Sequence, residues 1–233
     1  MLVLIAVRRQ WKRWRARPAI LRALATRRGY RFQEKPGKPS ELTPIRPLDK
    51  SPDLRTLELP AAVSGRTLDA DFTLFDVYTR VERGRGSHRS YHESFETFMT
   101  IKSGGKTWPH FEFVALERID PGSMTGKLLE MATSIADGLM KDRGLVHIPI
   151  PDQPGYQLYA DSAENGAAIR DALMPLLTKR TGWWVGGMGD ALTLQHRASK
   201  SATMAMLIPE GDLDRFIDES LEIERAASAA IRP

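Results

Sequence analysis

Apolar positions are densest at Asp71-Phe72-Thr73-Leu74-Phe75-Asp76-Val77-Tyr78-Thr79-Arg80-Val81, a run without glycine or proline. Its aromatic and β-branched residues suit a pleated, half-buried surface. Side chains alternate across a strand, so Phe72, Leu74, Asp76 and Tyr78 share one face and Thr73, Phe75, Val77 and Val81 the other. Large apolar groups on both faces predict a central strand covered on both sides. Before it, residues 54–63 read as a strand interrupted by Pro60 and joined at Ser64-Gly65 to a long strand over 66–81. After it, a polar loop leads to a return strand at 95–101, Gly104-Gly105 turns the chain, and 110–116 form a further strand. Short strands are expected at 146–150 and 156–160, and 183–185 and 191–194 flank Gly189-Asp190 as a hairpin. An antiparallel meander is the economical topology for this succession. Phe72, Phe75, Val77, Phe98, Phe111 and Phe113 are its expected core.

The helical period appears elsewhere. Leu128, Leu129, Met131, Ala132, Ile135, Ala136 and Leu139 predict a helix near 126–142. Asp161 and Glu164 have capping-box spacing and open a helix over 162–178, and Leu213, Phe216, Ile217, Leu221 and Ile223 stripe a last one over 211–226. Near the front, Pro18 suits a first helical turn, Ile20, Leu21 and Leu24 form the stripe, and Gly29 stands at a left-handed cap. Five prolines between 34 and 53 predict a long surface connection. The fold class is α+β: an antiparallel β-sheet meander covered by three to four helices. It is read as a single domain over 18–233 behind an arm at 1–17.

Charge changes this picture at the front. Of 34 Lys and Arg and 29 Asp and Glu, residues 1–50 hold 14 and 3, which leaves 20 and 26 for the rest. A basic N-terminal region thus precedes an acidic body, so nucleic acid is an unfavoured partner: the body would repel its backbone. Met1-Leu2-Val3-Leu4-Ile5-Ala6-Val7 is wholly apolar, and Arg8, Arg9, Trp11, Lys12, Arg13, Trp14, Arg15 and Arg17 follow. Seven apolar residues do not cross a bilayer, which needs about 20. A secretory signal has its positive charge before the apolar run, not after it. The arrangement matches the cytoplasmic end of a membrane helix whose start is missing, or an interfacial anchor, with cations and Trp at headgroup depth. Those eight residues are the expected contacts to an anionic membrane, and an acidic protein is the alternative partner. Deleting 1–17 is then expected to abolish membrane binding without unfolding the domain.

Catalytic signals are sparse. The absence of cysteine excludes disulfides, thiolate catalysis and Cys-ligated metal. Ser103-Gly104-Gly105-Lys106-Thr107 ends like a phosphate loop, but Thr100 stands where the first glycine belongs, so a hairpin turn is expected. Gly186-Gly187-Met188-Gly189 lacks the third dinucleotide glycine, since Leu192 occupies its place. His88 and His92 lie four apart, with Glu93 or His110 as a conceivable third ligand, yet Arg83, Arg85 and Arg89 crowd the same loop against a cation. Asp69 and Asp71 suit a solvated strand end better than a metal pair. Asp76, flanked by Leu74 and Tyr78, is expected to be a hydrogen-bonded structural tie, because an unpaired buried carboxylate is too costly. Neither a metal nor a cofactor is expected.

Several short motifs, in order, resemble those of a bacterial family that shares a conserved domain of unknown function and often carries membrane anchors. They are Arg27-Arg28-Gly29-Tyr30-Arg31-Phe32, Phe75-Asp76-Val77-Tyr78, Pro109-His110-Phe111, Tyr156-Gln157-Leu158-Tyr159 and Trp184-Val185-Gly186-Gly187-Met188-Gly189 before Leu192-Thr193-Leu194. The resemblance implies a membrane-tethered domain on the cytoplasmic side of the inner membrane and supplies no catalytic residues. The expected function is a membrane-proximal, non-catalytic binding or scaffolding module. The alternative is a hydrolase using Asp76 and the His88/His92 loop. Clustering of Asp76, His88, His92 and His110 about a pocket would favour that alternative.

Overall fold

The computed structural model describes residues 2–37, 42–43, 54–83, 90–115, 140–151, 156–180, 182–196 and 207–231. The fold is α+β, built from antiparallel ladders and a few helices. It divides into two compact units, Met1–Gly104 with Gln195–Ile217, and Gly105–Leu194 with Asp218–Pro233.

In the first unit the long strand is where the aromatic run predicts it. Strand β4 (Ala70–Arg83) pairs along its whole length with β5 (Ser90–Ser103), which sets Asp76 opposite Thr97 and Tyr78 opposite Phe95. Two short strands lie end to end on the other edge of β4. Strand β2 (Leu54–Glu58) pairs with 78–81, and β3 (Ala61–Arg66) pairs with 71–75. Leu59 and Pro60 separate them, as expected of a residue that cannot donate to a ladder. Strand β1 (Arg31–Glu34) adds to the outer edge of β3.

The turn expected at Ser64-Gly65 lies three residues later. Ser64 and Gly65 are paired with Thr73 and Phe72, and the chain reverses over 67–70, where Thr67 N–H donates to the Ala70 carbonyl at 2.8 Å. Gly65 is present for space rather than for turning. A Cβ there would stand 2.4 Å from the Phe72 ring, which makes an edge contact with Tyr30.

Helix α1 spans Leu2–Arg28 without interruption, so Pro18 lies inside it and not at a first turn. Residues 2–17 are thus continuous in one helix with 18–28. The helix ends as expected: Gly29 has φ +69°, and Tyr30 N–H reaches back to the Ala25 carbonyl at 2.8 Å, a Schellman closure. Trp14, Arg17, Leu21, Leu24 and Ala25 are buried at helical spacing, and Trp11 is half-buried on the same stripe. At its far end Arg27 and Arg28 bind Asp214 at 2.5 and 2.6 Å. Burial pushes Asp214 upward, but the hydrogen bonds from Arg28 and Arg27 outweigh it and leave the carboxyl below its ordinary value.

In the second unit β6 (Trp108–Ala115) lies between β8 (Tyr156–Ala160) and β9 (Trp183–Gly189), with β7 (Val146–Ile148) outside β8. The meander order thus holds for β3-β4-β5, whereas β6 takes its neighbours from later in the chain. Strand β10 (Ala191–His196) follows β9 through Gly189, whose φ is +61°. Helix α2 (Ala163–Leu177) is capped by Ser162, whose hydroxyl accepts from Asn165 N–H at 3.2 Å, one residue beyond the expected cap at Asp161. Helix α3 (Leu213–Ala230), whose residues up to Ile217 belong to the first unit and the rest to the second, buries Leu213, Phe216, Ile217 and Ile223 from the expected stripe. The helix expected at 126–142 lies outside the described residues except for 140–142, which are helical. All six expected core residues are buried: Phe72, Phe75, Val77 and Phe98 in the first unit, Phe111 and Phe113 in the second.

Candidate functional site

Asp76 sits on the face of β4 that α1 covers, and it is fully buried. Its charge is met by Arg17. Nε donates to Oδ2 at 2.6 Å and Nη2 to Oδ1 at 3.2 Å, with the two side chains only 2% and 1% exposed. The planar guanidinium suits this two-pronged contact, which fixes geometry as well as charge. The cross-strand neighbour Thr97 donates its hydroxyl to Asp76 Oδ1 at 2.6 Å and accepts from Ile208 N–H at 3.1 Å and from Arg17 Nη2 at 3.3 Å. Arg17 Nη1 donates to the Ile208 carbonyl at 2.8 Å. Helix, two strands and the segment that precedes α3 are thereby closed into one dry polar centre.

An aromatic cluster continues from it along the same face. Trp14, Tyr78, Phe95 and Leu207 are buried together with Trp11 packed on them. Trp11 approaches Tyr78 and Phe95 at centroid distances of 5.0 and 5.4 Å, and Trp14 does so at 6.0 and 5.6 Å. Burial, and then a 3.1 Å hydrogen bond to Glu93, push the Tyr78 phenol up to about 12.

These contacts correct the expected membrane set. Trp14 and Arg17 are buried and Trp11 is half-buried against Tyr78 and Phe95, so all three hold the helix to the unit. Lys12, Arg13 and Arg15 are exposed. Arg8 and Arg9 lie in α1, and their side chains are outside the described residues. Arg17 was legible in principle. It falls three residues after Trp14 and four before Leu21, on the apolar stripe, just as Asp76 falls between Leu74 and Tyr78. One lone cation and one lone anion on two apolar faces are a pair in waiting.

Three of the four candidate catalytic residues lie among the described residues. Asp76 is occupied by Arg17 and Thr97. His88 lies outside the described residues, and His92 is exposed on β5. His110 belongs to the second unit, where Arg143 Nη2 lies 3.4 Å from its Nε2. Burial first, and then the Arg143 charge, hold His110 below its ordinary value of 6.5. Beside it Glu112 is buried, ion-paired to Arg143 and accepting from the Trp184 indole at 3.2 Å. Asp161 accepts from His110 N–H at 3.0 Å and from the Asn165 amide at 2.8 Å.

Among the described residues no group of three or more His, Cys, Asp or Glu gathers as a metal set. Asp71 is engaged by Arg66 at 2.5 Å. Gly104 and Gly105 turn directly into β6, with no helix after Lys106-Thr107 to meet a phosphate. Gly187 makes room for Phe111, whose ring would lie 2.3 Å from a Cβ there. No described helix is long and apolar enough to cross a membrane. No protein-family model, curated protein or solved structure matches the chain.

Proposed function

We propose that the chain is a non-catalytic module that holds to an anionic membrane surface through the first half of α1, on the cytoplasmic side of the inner membrane, and offers its body to a protein partner. One observation carries this reading: α1 is a continuous helix in which exposed Lys12, Arg13 and Arg15 flank the buried Trp14 and Arg17, and the wholly apolar sequence Leu2-Val3-Leu4-Ile5-Ala6-Val7 precedes them. A helical stretch that is apolar all round needs protein or lipid on every side. Each cation near an anionic leaflet adds about 1 kcal/mol, screened within a Debye length. The resemblance to a family often anchored in membranes points the same way.

The test is co-sedimentation of the full chain with vesicles of phosphatidylserine and phosphatidylcholine, beside K12Q/R13Q/R15Q. Binding that needs phosphatidylserine, falls in the triple variant and is only partly removed by salt is expected. No binding of the full chain, or equal binding to pure phosphatidylcholine by both proteins, would overturn the reading.

A further inference from the structure

We propose that the end of the β4–β5 ladder where Arg80 meets Tyr91 is a second contact to the anionic lipid surface, toward the start of α1. The inference rests on the function proposed above and adds an orientation to it. Direction comes from three contacts in the first unit. Tyr30, just past α1, meets Phe72; Arg17 meets Asp76; Trp14 and Trp11 meet Tyr78. The helix therefore runs backwards along β4, and its start points toward the end of β4 that enters the hairpin connection.

The remaining lengths agree. Nine residues from Trp11 back to Leu2 rise roughly 14 Å at about 1.5 Å each. Five residues from Tyr78 on to Arg83 rise roughly 17 Å at about 3.4 Å each. The start of α1 and the Arg83 end of β4 thus reach a similar level beyond the aromatic cluster.

The hairpin end also has the chemistry. Tyr91 is 50% exposed and carries the Arg80 guanidinium 4.0 Å above its ring, while His92 beside it is exposed. A tyrosine with an apolar body and a polar tip suits a headgroup boundary. The neighbouring acids are already engaged, Glu82 by Arg55 at 2.5 Å and Glu93 by the Tyr78 hydroxyl. The opposite end of β4 has Leu68 fully exposed in its turn. It is an apolar tip on the far side and serves as an internal control.

The experiment uses the full chain and the same phosphatidylserine–phosphatidylcholine vesicles, with Y91E/H92E, L68E and K12Q/R13Q/R15Q compared after each is shown to melt like the parent. Each added negative charge near the surface is worth about fivefold, so Y91E/H92E should bind about 25-fold more weakly while L68E binds like the parent. If Y91E/H92E binds like the parent while the α1 variant loses binding, the hairpin contact is overturned and the α1 reading survives. If L68E loses as much as Y91E/H92E, orientation is overturned in favour of a general charge effect. If the parent does not bind, both readings fall.

Discussion

Each unit contains a buried carboxylate held by an arginine, Asp76 in the first and Glu112 in the second, and the two differ in how much water they keep. In the first unit Arg17 and Asp76 are both dry, and Thr97 and the Ile208 backbone take up the surrounding hydrogen bonds. In the second unit Glu112 is 4% exposed but Arg143 keeps 36% of its side chain in contact with solvent. Removing one partner of a dry pair strands a charge, whereas a wet partner can turn to water. The first centre should therefore act as a fold-defining tie, and the second as a local brace on β6.

The largest effect expected from this contrast is in the first unit. Asp76→Asn leaves Arg17 buried without a counter-charge and should cost about 3–5 kcal/mol. Glu112→Gln keeps an acceptor for Trp184 and lets Arg143 seek solvent, so about 1–2 kcal/mol is expected, the range of an ordinary hydrogen bond or somewhat more. Urea unfolding of both variants measures the difference. Equal losses would break the comparison and make exposure of the arginine irrelevant.

A smaller effect separates the units by pH. His110 is held below its ordinary 6.5 by burial and by Arg143, so the folded chain binds its proton less readily than the unfolded chain does. Its contribution is complete above about 6.5 and is lost as pH falls toward the folded value, because protonation then favours unfolding. His110→Phe should flatten the stability slope between about pH 5 and 7. An unchanged slope would show that burial and Arg143 do not hold this histidine below its ordinary value.

Much of the fold was legible because it rests on local pattern. Phe72 and Phe75 placed the central strand, Pro60 placed the break between β2 and β3, and Gly29 placed the end of α1. The turn was misplaced because Gly65 looks like a turn residue and is instead a gap for the Phe72 ring. The candidate site was half legible. Asp76 reads as a tie from its apolar neighbours, but its partner lies 59 residues earlier, in a stretch whose six cations suggest a membrane face. Sequence shows how charges are spaced along a chain. It does not show which one of them a helix turns inward, unless the stripe is traced through the charge itself.

That inward turn sets the most direct measurement. Helix α1 has a start for which we propose membrane contact and a remainder fixed to the first unit by Trp14 and Arg17. Two truncations separate them, one lacking residues 1–10 and one lacking 1–17, each followed by thermal melting and by vesicle co-sedimentation. The shorter deletion should keep the parent melting temperature and lose most binding. The longer one should melt far lower or fail to fold, since it strands Asp76 at a cost of about 3–5 kcal/mol. A chain without residues 1–17 that melts like the parent would contradict the account, because the Arg17–Asp76 centre would then hold nothing together.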